Sequence, residues 1–96
     1  MSTILPAENF EKEAIVTEDE LKKEIESYIA GNYSLWLIGV TDRPMERKGE
    51  YGNPRQWHQW DASTGDLARR VESYFLERGC MGGLGGNSSA KYVYIF

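Results

Sequence analysis

Arg47 is the residue that the sequence places best for chemistry on a phosphate group. It follows an apolar run at Leu35–Ile38, then Gly39, a polar turn and Pro44. This order predicts a buried strand, a turn and a helix that begins at Pro44, because proline lacks the N–H that has no partner at a first helical position. A guanidinium on the first turn of that helix has the charge and the forked shape that bind phosphate oxygens. The same pattern also fits a strand–turn–helix corner with a solvated arginine.

Cys80 and His58 are the single cysteine and the single histidine of the chain. No spacing rule relates them as a nucleophile and its base, so Cys80 is predicted to be a structural thiol. One residue of each kind is also too few for a zinc site within the chain. A lone cysteine cannot form an internal disulfide, which is typical of proteins from a reducing, cytoplasmic setting.

The composition predicts one folded domain without a membrane partner. The chain has 96 residues, of which 41% are hydrophobic, and three are tryptophan, so it can bury one modest core. No apolar run approaches the roughly 20 residues that cross a bilayer, and the N-terminus does not resemble a secretory signal. Residues 1–30 hold three lysines against eight acidic residues, whereas the rest holds eight basic and seven acidic residues. Without a basic excess, tight non-specific binding of nucleic acid is not expected.

The N-terminal half is predicted to form an irregular segment, a helix and a strand. Residues 1–16 show no periodicity, whereas Thr17–Glu20 matches a capping box. Apolar residues then recur at helical spacing, at Leu21, Ile25, Tyr28 and Ile29. We therefore predict an acidic helix over residues 17–30, ended by Gly31. Tyr33–Val40 is apolar on both faces, which favours a central strand.

The C-terminal half is predicted to alternate helices and strands. After the short Pro44 helix, Gln56–Asp61 is aromatic and lacks helical spacing, so it favours a strand. A second helical stripe follows, at Leu67, Val71, Tyr74 and Phe75. The glycine-rich stretch 79–89 lacks the lysine of a P-loop and precedes a strand, which favours a mobile connection over a phosphate cradle. The terminal Lys91–Phe96 is strongly β-prone and is predicted to pair with Tyr33–Val40.

These elements predict an α+β domain over residues 17–96. Helices would flank a small, mainly antiparallel sheet of about three strands. In the terminal strand Tyr92, Tyr94 and Phe96 would share one face, because side chains alternate along a strand.

Several of these residues resemble the GIY-YIG endonuclease family. Gly39–Arg47 resembles the second half of its signature, where a strand ending in glycine leads to a helix with the catalytic arginine. Ala68–Glu72 resembles its later helix, where an alanine precedes the metal-binding glutamate by four residues. The first-strand tyrosine motif is absent before Tyr33 but is matched by Tyr92–Phe96. The resemblance therefore implies a circularly permuted GIY-YIG-like core over residues 33–96, with helix 17–30 as an addition.

The resemblance implies a role for three residues. Tyr94 would help to activate the attacking water, Arg47 would stabilise charge on the scissile phosphate, and Glu72 would bind one Mg²⁺. Each residue can also be explained without a function. Tyr94 fits a tyrosine of the sheet, Arg47 a solvated helix residue, and Glu72 a glutamate that pairs within its own helix. Further contacts to nucleic acid or to a partner would come from Trp57, Trp60, Tyr92, Arg43 and Lys48.

The chain also departs from the family pattern. Leu37 stands where the second signature tyrosine is expected, and Tyr51 stands four residues after Arg47, where many members have histidine. His58 cannot be assigned that histidine's role from sequence. Two functions follow. The first is a degenerate, non-catalytic GIY-YIG-like module that binds a protein through its aromatic face or its acidic helix. The second is a Mg²⁺-dependent DNA endonuclease.

Overall fold

The protein is represented by a computed structural model that describes residues 17–96, so the prediction for residues 1–16 lies outside the described residues. This part contains three α-helices: α1 (Glu18–Ile29), α2 (Pro44–Glu50) and α3 (Gly65–Glu77). It also contains four strands: β1 (Leu37–Thr41), β2 (His58–Asp61), β3 (Met81–Gly82) and β4 (Tyr92–Ile95). None of the helices in this range is long and apolar enough to cross a membrane.

The strands form one mixed sheet in the order β2–β4–β1–β3. The terminal strand β4 lies antiparallel between β1 and β2, with Tyr94 opposite Gly39, so its predicted pairing is confirmed. The α+β class is also confirmed, but the sheet has four strands and one parallel pair. The extra strand, β3, comes from the stretch predicted to be a connection. It pairs with β1 because the Met81 N–H donates to the Trp36 carbonyl and the Gly83 N–H donates to the Ile38 carbonyl.

The hydrophobic core lies between one face of the sheet and helices α1 and α3. The sheet contributes Ile38, Val40, Val93 and Ile95, and the helices contribute Leu21, Ile25, Ile29, Leu67, Ala68, Val71 and Phe75. The capping box that opens α1 is present as predicted, with both Thr17–Glu20 hydrogen bonds made. Although the resemblance marks α1 as an addition, its three buried residues belong to this shared core.

The first strand begins later than predicted. Tyr33–Leu35 forms a turn of 3₁₀ helix, and β1 starts only at Leu37. The Tyr33 hydroxyl donates to the Glu26 carboxylate at 2.9 Å, which holds this turn against α1. The chain can therefore enter the extended conformation only after the turn.

Candidate functional site

The site is organised around the hydroxyl of Tyr94, on the face of the sheet opposite the core. Val93 and Ile95 point into the core, so the alternation along β4 places Tyr94 on the other face. Its side chain is completely buried. Its hydroxyl lies 3.1 Å from the Tyr51 hydroxyl and 3.5 Å from Arg47 Nη1. The ring of Trp57 stacks on it, with centroids 4.7 Å apart.

Burial and the neighbouring Tyr51 hydroxyl raise the pKa of Tyr94, and Arg47 only partly opposes this. The phenol is therefore neutral at physiological pH. It can donate or accept a hydrogen bond there, but it cannot act as a phenolate base.

Gly39 makes room for this tyrosine. It lies directly opposite Tyr94 in the sheet, and a Cβ atom at this position would lie 2.6 Å from Tyr94 Cζ and closer still to the hydroxyl. Any side chain at Gly39 would therefore displace the ring. Gly39 thus has a packing role in this structure.

Arg47 is bound by oxygen atoms of its own chain. Its Nη1 donates to the Leu84 carbonyl at 2.9 Å and its Nη2 to the Gly85 carbonyl at 3.2 Å. Its Nε lies 2.8 Å from Glu50 Oε1. Partial burial alone would lower the pKa of Arg47, but its contacts with Tyr94 and Glu50 raise it overall, so the guanidinium stays charged.

The segment that binds Arg47 is part of the glycine-rich stretch, and we name residues 83–87 the cover. Gly83 lies so close to the site that a Cβ atom there would be 2.7 Å from both the Tyr51 and the Tyr94 hydroxyl. The Leu84 N–H donates to the Tyr51 hydroxyl at 2.6 Å. The sequence predicts a mobile connection here, whereas the structure shows a segment with defined contacts. Gly83 does not have a left-handed backbone; its lack of a side chain lets the cover pack closely against the two hydroxyls.

Glu72 lies apart from this arrangement. It is half-buried on α3, which packs on the opposite face of the sheet from Tyr94. Within residues 17–96, polar contacts join Arg47 to Tyr94 but join Glu72 to neither. Burial raises the pKa of Glu72, and the charge of Arg69 partly opposes this.

Glu72 offers one oxygen-donor side chain, which suits Mg²⁺ because this ion prefers oxygen ligands and retains several waters. The described part of the chain has no group of three or more His, Cys, Asp or Glu residues that could hold a metal ion together. Any Mg²⁺ at Glu72 would therefore need most of its ligands from water and substrate.

The predicted contact residues do not form one surface. Trp57 stacks on Tyr94, whereas the Trp60 indole donates to Glu24 of α1 at 2.9 Å, on the core side of the sheet. Tyr92 is half-buried on β4. The remaining two flank or belong to α2: Arg43 is exposed and pairs with Glu46, and Lys48 is half-buried.

Two site residues were missed by the sequence reasoning. Tyr51 was interpreted only as a departure from the family pattern, yet its hydroxyl bridges Tyr94 and the cover. Its position four residues after Arg47, one helical turn further along at the C-cap of α2, was the available signal. Arg69 donates to the Asn87 carbonyl at 2.8 Å and more weakly to the Gly86 carbonyl, a contact that no local pattern indicates. His58 stacks on Tyr28 of α1 instead.

Replacing Tyr94 by phenylalanine tests the buried hydroxyl. At pH 7 we expect Tyr94→Phe to lose about 1 kcal/mol of unfolding free energy, the usual net value of a hydrogen bond. The folded-state pKa of Tyr94 is raised, so its contribution is complete below the unfolded value of about 10 and is lost as the pH rises above it. Urea unfolding at pH 7, 9 and 11 should therefore show the wild type approaching Tyr94→Phe at high pH. Equal differences at all three pH values would contradict this, and Tyr28→Phe, at an exposed tyrosine, is the control.

Comparison of this chain with known protein families, with curated proteins and with solved structures finds no match. Its function is therefore inferred from its own residues. The two facts that matter most are the contact between Arg47 and Tyr94 and the internal binding of Arg47 by the cover.

Proposed function

We propose that this chain is a non-catalytic GIY-YIG-like interaction module. The observation that carries the proposal is the coordination of Arg47, whose three guanidinium nitrogens each lie within 3.2 Å of a carbonyl or carboxylate oxygen of the same chain. A scissile phosphate could reach this guanidinium only by displacing the cover. The buried Tyr94 hydroxyl is likewise separated from solvent.

We infer a protein as the partner of this module. The chain carries a net charge of −4, and its acidic residues concentrate in its first 30 residues, so a polyanion is electrostatically disfavoured. Exposed apolar side chains, which commonly mark protein contacts, lie on or beside the edge strand β3: Leu76, Met81 and Leu84. A reducing, cytoplasmic setting suits the single, buried Cys80 thiol.

A Mg²⁺-dependent DNA endonuclease is the second candidate. The observation that favours it is the 3.5 Å approach of Arg47 to Tyr94, the two residues that the resemblance assigns to catalysis. In this reading the neutral Tyr94 hydroxyl would orient a water, and Arg47 would neutralise charge on the phosphate. The resemblance would have Glu72 hold Mg²⁺, which supplies charge neutralisation and a more acidic bound water. Glu72, however, lies on a helix across the sheet from Tyr94, and this position counts against the candidate.

A cleavage assay separates the two candidates. Wild type, Arg47→Ala and Glu72→Ala are incubated with Mg²⁺ and branched, single-stranded or double-stranded DNA, and circular dichroism establishes that each is folded. We expect the wild type to give no more product than the two variants, because carbonyl oxygens of the cover already bind the Arg47 guanidinium. Arg55→Ala, at an exposed arginine outside the site, is the matched control.

The opposite result has a clear form. Cleavage by the wild type and by Arg55→Ala that requires Mg²⁺ and falls about 100-fold or more in both site variants would establish the endonuclease and end the non-catalytic proposal.

A further inference from the structure

The strand β2 leaves one side of its backbone open. It lies at the edge of the sheet, next to β4. The Ala62 N–H donates to the Lys91 carbonyl at 2.7 Å, so every second residue before Ala62 is hydrogen-bonded to β4. Gln59 and Asp61, which lie between those residues, therefore direct their N–H and C=O groups to the open edge. Within residues 17–96 no backbone hydrogen bond is made to these groups.

Helix α1 follows the same edge on the core side of the sheet. The Trp60 indole donates to Glu24 at 2.9 Å, and the ring of His58 stacks on Tyr28 with centroids 3.8 Å apart. Glu24 and Tyr28 are one helical turn apart, and His58 and Trp60 share one face of β2, so one row of α1 runs along the strand. A further strand added at β2 would direct every second side chain toward this row.

The row of α1 beside β2 is acidic. Glu20 precedes Glu24 by four residues and continues the row. Both side chains are exposed, and among the described residues neither forms a salt bridge. The other side of the strand differs, because the Asp61 side chain alternates with Trp60 and lies 4.0 Å from the Lys91 ammonium. An unmatched negative charge is therefore found on the α1 side alone.

The same row ends in an accessible aromatic ring. Tyr28 is 45% exposed although it stacks on His58. A guanidinium stacks on aromatic rings and also pairs with carboxylates, so arginine suits a row of two glutamates and a tyrosine better than lysine does.

We propose that β2 is a binding edge of this module, and that its partner is an extended protein segment with arginine at every second position. The segment would add to the sheet as a further strand, with its backbone bonded to Gln59 and Asp61 and its arginines directed toward Glu20, Glu24 and Tyr28. A second copy of this chain is disfavoured at this edge, because it would bring two acidic rows together. The inference rests on the proposed function, since it names the partner that the interaction module binds.

A blocked peptide of the sequence Thr-Arg-Thr-Arg-Thr-Arg-Thr is the probe for this edge. Titrated into the full chain at constant ionic strength, it should give saturable shifts of the Gln59 and Asp61 amide signals in NMR spectra and slow their hydrogen exchange. The control peptide Arg-Arg-Arg-Thr-Thr-Thr-Thr has the same composition and charge. It should bind about fivefold more weakly, because consecutive arginines alternate between the two faces of the sheet.

A pair of charge variants tests the acidic row. Glu20→Gln combined with Glu24→Gln removes both charges but keeps the oxygen acceptors for the helix cap and for the Trp60 indole. We expect it to weaken binding of the alternating peptide about fivefold, as for two exposed ion pairs. Glu46→Gln combined with Glu77→Gln makes the same change in net charge at exposed sites on α2 and α3. This control should leave the affinity nearly unchanged, because salt screens distant charges.

A substitution at Gln59 tests the backbone contact. Gln59→Pro removes an N–H that faces the open edge, where proline is tolerated, and should weaken binding about tenfold. Gln59→Ala loses the same side-chain contact with the Trp57 indole but keeps the N–H, so it should bind like the wild type. Circular dichroism establishes that each variant is folded.

The proposal is overturned if the alternating peptide gives no saturable shifts, or if the two peptides bind equally. It is also overturned if the two double variants bind equally, or if folded Gln59→Pro binds as well as Gln59→Ala. Protection of the Gln59 and Asp61 amides in the free chain would overturn it as well, because the edge would already be paired. Protection that grows with protein concentration would identify a second copy as the occupant, and protection independent of concentration would identify the chain itself.

The DNA cleavage assay remains the separate test of the proposed function. A failed peptide titration without DNA cleavage removes this binding edge alone, whereas Mg²⁺-dependent cleavage removes the non-catalytic module itself.

Discussion

Gly39→Ala is expected to destabilise the domain by about 3 kcal/mol, at the upper end of the usual cost of overpacking. The new methyl group would lie 2.6 Å from Tyr94 Cζ, in a strand that is paired on both sides. The ring cannot move away freely, because Trp57 stacks on it and the cover lies over its hydroxyl. Urea unfolding followed by far-UV circular dichroism measures the loss.

Gly49→Ala is the matched control for this substitution. Gly49 lies in α2, and a Cβ atom there would meet nothing within 4 Å. Because alanine is the better helix former, we expect a gain of about 0.5–1 kcal/mol. Should Gly39→Ala remain within about 0.5 kcal/mol of the wild type, the close packing of Gly39 on Tyr94 would be disproved.

A double-mutant cycle identifies the cause of the Gly39→Ala effect. If the methyl group acts by clashing with Tyr94, then Gly39→Ala should cost much less in a Tyr94→Ala background, where the ring is absent. The two substitutions would then be strongly non-additive, as expected for residues in contact. Additive losses would instead point to a backbone effect at Gly39.

Phe75→Ala is expected to cost about 3–5 kcal/mol, the range for deleting a buried aromatic side chain. Phe75 is completely buried between α3 and the sheet. Domains of this size have total stabilities of about 5–15 kcal/mol, so this one change should remove a large part of the folding free energy. Thermal and urea unfolding both measure it.

Leu76→Ala is the control at the next residue of the same helix. Leu76 is 38% exposed and lies outside the core cluster, so its truncation should cost about 1 kcal/mol or less. Similar losses for the two variants would mean that α3 does not present Phe75 to the core as described.

Local patterns were sufficient for the helices and for the central strand pair. The capping box at Thr17 and the apolar stripes of α1 and α3 predict these helices because their signals lie within a few residues. The pairing of β4 with β1 could be predicted because both strands are strongly apolar, and a terminal strand of this kind is placed inside the sheet of a small domain and not left exposed. Tyr33–Leu35 shows where this fails, since a contact with Glu26 on α1 overrides the apolar pattern.

Only part of the candidate site could be predicted from the sequence. The resemblance named Arg47 and Tyr94 as site residues, and the structure places their side chains 3.5 Å apart, because β4 pairs with β1 and α2 follows β1 along the chain. It could not show that Arg47 binds the carbonyls of Leu84 and Gly85, which lie 37 and 38 residues away. Glycines in that segment predict backbone freedom. Only the packed structure shows that Gly83 lies against the Tyr51 and Tyr94 hydroxyls, where a side chain would not fit.

The sequence alone therefore determined the helices, the terminal strand, the α+β class and the place of Arg47 after the first strand, since each depends on periodicity or on neighbours along the chain. The tertiary structure alone decided that β3 joins the sheet and that Glu72 lies on a helix across the sheet from Tyr94. It also decided that carbonyl oxygens of the cover bind the Arg47 guanidinium. These features depend on contacts between distant segments, and on which face of the sheet each side chain reaches. Residue spacing shows which side chains share a face of one element, but it does not show which distant segment packs against that face.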